Sequence, residues 1–350
     1  MTRKIYLIRH AMPDLPLGER WCVGGRCDLP LGRLGRIQAA RLPFVPALQG
    51  LDAVFCSSLI RARETALPLS PAPRVIRGLE EQDMGLWDGL SFREIRERFP
   101  ALYAAREQDP SLLPAGAESE EAVRQRMTAA LWRCLRESEG HIAVVSHKGA
   151  IASLTGRRSL LGYTSISVLE AADGELRVRQ LGLSPAPEPT DALCLRMLEA
   201  SGLSAGVIAH CRAVASLADE LCEKLNRAGL SLDGKAVHIA ALLHDLAKGE
   251  PAHAVLGGRW LRELGYDELA DLIRQHTEPD SDALNEAGLV FLADKYVRGE
   301  VRVPLAERFA ASAEKCKTPE ARAAHARRYA LALSLQQQIM QFPGLRVPEI

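Results

Sequence analysis

The sequence predicts an α/β domain with a mainly parallel sheet, followed by an all-α domain. Three observations support this: strand and helix patterns alternate through the first half, strand patterns are missing from the second half, and a proline-rich segment at 184–190 separates them. Strands that alternate with helices favour a parallel sheet, and alternating prolines disfavour helix and strand pairing. A chain of 350 residues suggests two domains. We assign 1–185 to the first, 186–190 to a linker and 191–350 to the second.

The first half alternates short apolar runs with longer helical patterns. The predicted strands are 5–8, 53–55, 142–145, 165–169 and 176–181. Asp173-Gly174 fits the turn of a hairpin between the last two strands. The predicted helices are 34–48, 61–67, 92–103 and 121–137. Ser91 and Glu94 have the spacing of a capping box, which predicts the start of the third helix.

The second half contains helical patterns throughout. The predicted helices are 191–200, 207–228, 236–248, 258–264, 268–276, 284–298 and 319–341. Residues 301–350 carry no motif, and their Ala/Arg/Gln-rich helix is expected to pack or oligomerise rather than to catalyse. A homodimer is therefore left open.

Composition narrows the function classes. Apolar residues make up 47% and charged residues 25% of the chain, which is typical of globular proteins. The formal net charge is zero, so bulk charge implies neither a nucleic-acid nor a membrane partner. The eight cysteines are scattered and no signal peptide is recognised, so we expect reduced thiols and a cytoplasmic location.

Polar residues follow the ends of several predicted strands in the first half. Arg9 and His10 follow the first strand, Arg61 lies soon after the second, and His147 follows the strand at 142–145. Ligand sites lie at the carboxyl ends of parallel strands, so these side chains are expected to converge. A histidine beside arginines combines a nucleophile with a clamp for phosphate. Taken singly, each of these residues is more simply interpreted as a surface charge.

Five segments of this half resemble the histidine phosphatase (phosphoglycerate mutase-like) superfamily. They are Arg9-His10, the loop from Gly25 to Leu31, the Ser-Ser…Arg-Ala…Thr-Ala segment around Arg61, the Glu-x-x-x-Gly-x-Trp-x-Gly segment from Glu81 to Gly89, and Val-Ser-His at His147. The resemblance covers about residues 1–183. Its length and tryptophan motif are more similar to compact phosphatases, such as α-ribazole phosphatase, than to the longer mutases.

The resemblance implies a phosphohistidine mechanism without a metal. His10 would take the phosphoryl group, Arg9 and Arg61 would hold its oxygens, and His147 would add a donor. Family position and the step to Gly85 favour Glu81 as the general acid, with Glu80 as the competitor.

The sequence departs from the family pattern at two places. Lys148 stands where the family usually has Gly, and Met12-Pro13-Asp14 replaces a Gly-Glu-Thr type of loop. The extra cation at Lys148 would either bind an anionic substrate or crowd the mouth of the site.

A second group of polar residues lies in the helical half. His244 and Asp245 interrupt an apolar helix, where a charged group is costly unless it is paired or bound to a metal. His210 shares a helix face with apolar residues and is expected to point inward. Asp294 ends another apolar run, and His253 and His276 lie between. His238 and His325 have no motif partners and are expected to be structural or exposed.

The order His…His-Asp…Asp resembles that of HD-domain metal-dependent phosphohydrolases over about residues 195–300. The resemblance implies one ion held by His210, His244, Asp245 and Asp294. The additional histidines fit a two-metal subgroup that includes dinucleoside tetraphosphate hydrolases, with His253 and His276 holding a second ion and Asp245 bridging. Mixed imidazole and carboxylate ligands suit iron or manganese, and Lys248 would hold a substrate phosphate.

The sequence therefore predicts a bifunctional phosphohydrolase whose partners are a small phosphorylated metabolite or a nucleotide. Two alternatives remain open. The first domain would be a phosphomutase if an added acceptor retained the phosphoryl group. The HD domain would be a regulatory module if it bound a nucleotide without hydrolysing it.

Overall fold

The computed structural model describes residues 2–16, 18–109, 111–157 and 160–342. The chain divides into two compact units, with the boundary between Pro187 and Glu188. Residues 184–190 form neither helix nor strand. None of the described helices is long and apolar enough to cross a membrane.

The first unit is built on a six-stranded sheet. Its strands are β1 Arg3–Arg9, β2 Ala53–Cys56, β3 Arg74–Val75, β4 Ile142–Ser146, β5 Ile166–Ala172 and β6 Glu175–Leu183. The spatial order is β3-β2-β4-β1-β5-β6, with β1 to β4 parallel and β5 and β6 antiparallel. The predicted mainly parallel α/β fold is thus confirmed.

The strand register explains where the polar residues of this unit meet. Arg9 of β1 pairs with Ser146 of β4, and Cys56 of β2 pairs with Val145 of the same strand. The residues that follow these strand ends, including His10 and His147, therefore leave the sheet side by side. This is the edge at which ligand sites form in parallel sheets.

Helices cover both faces of the sheet. They are α1 Arg33–Ala40, α2 Ile60–Ala66, α3 Phe92–Arg98, α4 Pro100–Gln108, α5 Glu120–Arg136 and α6 Lys148–Thr155. Alternate residues along each strand enter different cores because side chains of a strand alternate between faces. Leu7 packs in the cluster that contains Met127 and Ile151, whereas Ile8 packs in the one that contains Leu42 and Ala62.

Prolines account for two differences from the predicted helices. The helix expected at 34–48 ends at Ala40 and is followed by short 3₁₀ turns that contain Pro43 and Pro46. The helix expected at 92–103 is divided at Pro100, which starts α4. Proline lacks an N–H donor and restricts the preceding residue, so a helix stops before it and a new one can begin there. The predicted Ser91–Glu94 capping box is confirmed.

The second unit is helical, as predicted, apart from one small hairpin. Its helices are α7 Asp191–Ala200, α8 Ala205–Arg227, α9 Gly234–Leu243, α10 His253–Glu263, α11 Asp267–Arg274, α12 Glu286–Lys295, α13 Leu305–Ala313 and α14 Pro319–Met340. The hairpin pairs β7 Val297–Arg298 with β8 Val301–Arg302, so the helix expected at 284–298 ends earlier, at Lys295. The α13 helix was not predicted.

Candidate active sites

The backbone that follows β1 is held by hydrogen bonds from three directions. The N–H of His10 donates to the Ser146 carbonyl at 2.8 Å. The next N–H, of Ala11, donates to Oγ1 of Thr65 on α2 at 2.9 Å, and the N–H of Met12 donates to a side-chain oxygen on α1 at 2.8 Å. The loop that carries His10 is therefore fixed to the sheet and to two helices.

The His10 imidazole is buried in a defined tautomer. Its Nδ1 lies 2.7 Å from the Ala11 carbonyl oxygen. A carbonyl only accepts hydrogen bonds, so Nδ1 carries the proton and Nε2 keeps its lone pair. Burial, with Arg61 and Arg9 nearby, lowers the pKa of His10 well below its usual value. His10 is thus neutral near pH 7, as a nucleophile needs to be.

Two guanidinium groups, one buried and one half-buried, lie close to His10. Arg61 is fully buried and donates to the carbonyls of Cys27 and Gly24 at 2.6 and 3.1 Å. Arg9 donates to the Leu161 carbonyl at 2.9 Å and lies over a neighbouring tyrosine ring. Among the described residues, Nε of neither arginine has a hydrogen-bond partner. Buried cations with unused donors favour a bound anion.

His147 lies beside His10, as the strand register requires. The two ring centroids are 5.0 Å apart. Nε2 of His147 lies 2.8 Å from Oγ of Ser57, while its buried Nδ1 has no partner in the described chain. Burial, followed by the charge of Arg61, lowers the pKa of His147 well below its usual value. A Ser57 hydroxyl that donates to Nε2 leaves Nδ1–H as a donor for a ligand.

The two candidate acids differ in position. Glu81 lines the same cavity as His10, and its carboxylate accepts the backbone N–H groups of Gln82, Gly149 and Ala150 at 2.8 to 3.0 Å. Glu80 instead accepts from Oγ of Ser58 and from the Gly78 N–H. The geometry therefore favours Glu81 over Glu80 as a group that meets a substrate.

The cavity above His10 has a volume of about 660 Å³. Lys148 lines it, together with Tyr163, which the sequence analysis did not identify. The Tyr163 ring lies 3.8 Å from the Arg9 guanidinium carbon, so it orients that side chain. The remaining wall is largely aromatic and apolar, and includes Met12, Trp21, Met84, Trp87 and Phe92. The cavity therefore accepts an organic group as well as a phosphate.

The second site gathers the six predicted ligands in one cluster, in which five are buried and His253 is half-buried. Among the sets of potential donor atoms that lie within 4.8 Å of one another, two contain only predicted ligands: His210, His244 and Asp294 form one, and Asp245, His253 and His276 form the other. The shortest links are 3.1 Å from His210 Nε2 to Asp294 Oδ1 and 3.3 Å from His244 Nε2 to Asp245 Oδ2. Nε2 of His253 and of His276 lies 3.4 and 3.8 Å from Oδ1 of Asp245.

Backbone carbonyls orient three of the four imidazoles. Nδ1 of His210, His244 and His276 lies 2.7 to 2.9 Å from the carbonyls of Gly299, Ala241 and Ile273, respectively. Each Nδ1 therefore donates, and each Nε2 lone pair faces the cluster, which is the usual outer-shell arrangement around a metal. Nε2 of buried His244 has no hydrogen-bond partner among the described residues. This donor set fits divalent transition-metal ions.

The carboxylates of the cluster stay charged although they are buried. Burial disfavours the Asp294 carboxylate, but Lys295 and the cluster histidines outweigh it and hold its pKa well below the usual range. Burial also disfavours a charged His244, yet Asp245 and Asp294 raise its pKa. Burial lowers the pKa of His276 to about 3. The cluster thus presents buried negative charge, as a cation site requires.

Two lysines and a cysteine adjoin these ligands. Lys248, expected to bind a substrate phosphate, has its Nζ 2.5 Å from Oδ2 of Asp245. Nζ of Lys295 likewise lies 2.5 Å from Oδ2 of Asp294. The buried Cys211 lies near His244 and Asp245, and burial raises the pKa of its thiol to about 12, so it is protonated. Lys295 and Cys211 directly follow ligands in sequence, and that adjacency is the one signal that would have identified them.

His238 and His325, which have no motif partners in the sequence, have side-chain hydrogen-bond partners in the structure. His238 lies 2.8 Å from Asp219 and 3.0 Å from Asp191. His325 lies 2.8 Å from Oγ of Ser312. Each bond joins different helices, which sequence spacing cannot show.

A buried site for an anion and a second one for metal cations are typical of proteins that act on phosphate esters. Residues 5–183 match the histidine phosphatase superfamily (branch 1), and residues 207–299 match the HD domain. The chain belongs to the histidine phosphatase superfamily and carries an HD domain in its second unit. Both family resemblances expected from the sequence are confirmed.

Similar proteins are known from mycobacteria. The bifunctional protein Rv2228c of Mycobacterium tuberculosis is 34% identical over 193 residues, which are 50% of this chain and 52% of that protein. The chain thus spans about half the length of such relatives. Glucosyl-3-phosphoglycerate phosphatase of the same organism is 31% identical over 167 residues, 44% of this chain and 74% of that protein. The native structure of the mycobacterial glucosyl-3-phosphoglycerate phosphatase gives a TM-score of 0.45 at 25% identity and covers 53% of this chain and all of that chain. The two family matches support a hydrolase that acts on phosphate esters.

The lowered pKa of His147 predicts a pH dependence of stability. The native state keeps this imidazole neutral, whereas the unfolded chain takes up a proton below about pH 6.5. The unfolded state then binds more protons, so the free energy of unfolding falls as the pH falls, by about 1.4 kcal/mol per pH unit for each such group. Between about pH 7 and about pH 5, the free energy of unfolding of His147→Asn should therefore fall by about 2 kcal/mol less than that of the wild type. Urea unfolding of both proteins across this range measures it, and parallel curves would contradict the buried neutral state.

Proposed function

We propose that the first domain hydrolyses phosphate monoesters through a phosphohistidine at His10. The observation that carries this is the neutral, buried His10, with Nδ1 fixed on a carbonyl and Nε2 left available beside the buried Arg61 and the half-buried Arg9. In this scheme Nε2 attacks phosphorus and the bond to the ester oxygen breaks. Arg9, Arg61 and His147 stabilise the charge that spreads over the phosphoryl oxygens.

Glu81 supplies the proton that the leaving oxygen needs. Its carboxyl group gives that proton to the departing alkoxide, and the resulting carboxylate takes a proton from the water that attacks phospho-His10. The second attack releases inorganic phosphate and restores both residues. The backbone N–H groups around Glu81 keep the carboxylate in place through both steps.

The cavity supports a small metabolite as the substrate. Its aromatic and apolar wall suits an organic leaving group, while Lys148 and Arg106 add positive charge. The relatives named glucosyl-3-phosphoglycerate phosphatases act, by their name, on a phosphorylated metabolite. This favours the same broad substrate class here.

Replacing His10 by Ala should abolish the metal-independent phosphatase activity, with a loss of at least about a hundredfold. The assay uses p-nitrophenyl phosphate and the full chain in the presence of chelator, so that the second site does not contribute. His141→Ala, an exposed histidine of the same unit, is the matched control and should keep its activity. Wild-type rates in His10→Ala would refute the phosphohistidine assignment.

Glu81→Gln should slow the release of poor leaving groups far more than that of good ones. Gln can still accept backbone hydrogen bonds but cannot supply a proton, and a general acid contributes about 10²–10⁴-fold. Rates on alkyl phosphates should fall by that factor, and rates on nitrophenyl phosphate should fall much less. Glu80→Gln is the control. A selective loss in Glu80→Gln would transfer the role to that residue.

The HD domain, we propose further, is a metal-dependent phosphohydrolase for a nucleotide or another phosphorylated metabolite. His210, His244, Asp245 and Asp294 would hold one ion, and His253, His276 and a bridging Asp245 a second, with iron or manganese favoured by the mixed donors. Bound metal supplies activated water and charge neutralisation at the phosphoryl oxygens. The full set of inward-facing Nε2 atoms favours catalysis over a purely regulatory role. A metabolite screen with and without chelator tests the activity.

Asp245→Ala should remove the metal from the purified protein, because this carboxylate contacts ligands of both sets. Elemental analysis measures the loss from an expected one or two ions per chain in the wild type. Asp219→Ala, which changes a carboxylate outside the cluster, is the control and should keep its metal. His10→Ala should also keep it. A full metal content in Asp245→Ala would refute the ligand set.

A further inference from the structure

The second unit contains a pocket that the described functions do not use. It lies between α13, α14 and the end of α12, and it has a volume of about 280 Å³. Four cations line it, Lys295, Arg308, Lys315 and Arg328, and none of its lining residues is acidic. We refer to it as the cationic pocket.

The positive charge of this pocket is poorly compensated. Within the described ranges, no carboxylate pairs with Arg308, Lys315 or Arg328. The buried Nε of Arg308 also has no hydrogen-bond partner there. Like charges that converge on one cavity repel each other, and this repulsion is relieved when an anion binds between them. Arginine and lysine donors together are suited to phosphate oxygens.

The pocket adjoins the His/Asp cluster of the HD domain. Lys295 lines the pocket, and its Nζ lies 2.5 Å from Oδ2 of the predicted ligand Asp294. Thr277 also lines it and directly follows the ligand His276. A molecule in the cationic pocket is therefore next to the metal cluster. The volume is several times the roughly 30 Å³ that a water molecule occupies, so a phosphate group fits.

We propose that the cationic pocket binds a phosphate group of the HD-site substrate other than the one that is hydrolysed. The proposal rests on the hydrolase function assigned to the HD domain, and it narrows the substrate to a compound with at least two phosphate groups. It also gives a binding role to α13 and α14. Both helices lie beyond the HD match; α13 was not predicted, and the helix expected at 319–341 was expected only to pack or oligomerise.

Hydrogen exchange on the full chain, freed of metal by chelator, tests the pocket with inorganic pyrophosphate as the probe. Pyrophosphate should slow exchange in peptides that cover α13 and α14, whatever it does at the first site. Arg328→Gln should raise the pyrophosphate concentration needed for half-maximal protection about tenfold, because one charge-assisted contact is lost. Arg327→Gln is the matched control. It changes the same charge on the same helix, at an exposed position outside the pocket.

Absent protection in the wild type, or equal weakening in Arg327→Gln and Arg328→Gln, would overturn the proposal. Lys315→Gln provides a second variant, which should show the same weakening if Arg328→Gln unfolds. With a substrate from the metabolite screen, Arg328→Gln should raise KM about tenfold and leave kcat nearly unchanged. An unchanged KM would overturn the assignment of the pocket to the substrate. Metal-dependent hydrolysis that is missing altogether, in a protein that still shows the protection, would instead count against the hydrolase function.

Discussion

A histidine offers its Nε2 lone pair only when the proton is on Nδ1, and in both units a backbone carbonyl fixes it there. Ala11 provides this carbonyl for His10, and Gly299, Ala241 and Ile273 provide it for the metal cluster. Without these hydrogen bonds the rings could rotate or exchange tautomers, and neither a nucleophile nor a set of metal donors would be defined. The same local interaction thus serves two different chemistries.

The surrounding charge decides which chemistry each histidine performs. In the first unit, burial and the charges of Arg61 and Arg9 lower the pKa of His10, and the two arginines leave a demand for negative charge. In the second unit, buried Asp245 and Asp294 create the opposite demand. Burial strengthens both demands, because a charge in a low-dielectric interior is costly, and in the second unit Lys248 and Lys295 already meet part of the demand. In the proposed functions, a phosphate ester would satisfy the first demand and metal ions would satisfy the second.

The sequence predicts which polar residues come together better than it predicts the groups that hold them. Arg9, His10 and His147 could be placed together because they follow strands, and parallel strand ends share one edge. His210 could be directed inward because a helix face repeats with its period. Tyr163 and Lys295 were missed because their importance lies in contacts made across the fold. The α6 helix was missed too, although its first N–H groups hold Glu81.

Local chain breaks were predicted less well than the elements they separate. Pro100 divides one helix into two, while Pro43 and Pro46 replace the end of another by short turns. The periodic apolar pattern continues across these prolines, so it cannot show by itself where a helix stops. The hairpin after α12 was hidden for a similar reason, since its residues extend the apolar pattern of that helix.

The hairpin of β7 and β8 contains a turn that supports the predicted metal site. Gly299 stands at its tip with a φ of +62°, a conformation that favours glycine, and its carbonyl accepts a hydrogen bond from Nδ1 of His210. The turn contributes no predicted metal ligand, but it contacts one of them through this hydrogen bond. An insertion there, of the kind that surface loops usually tolerate, would move the carbonyl and release the His210 ring. We therefore expect the length of this exposed turn to be as constrained over evolution as the ligands themselves.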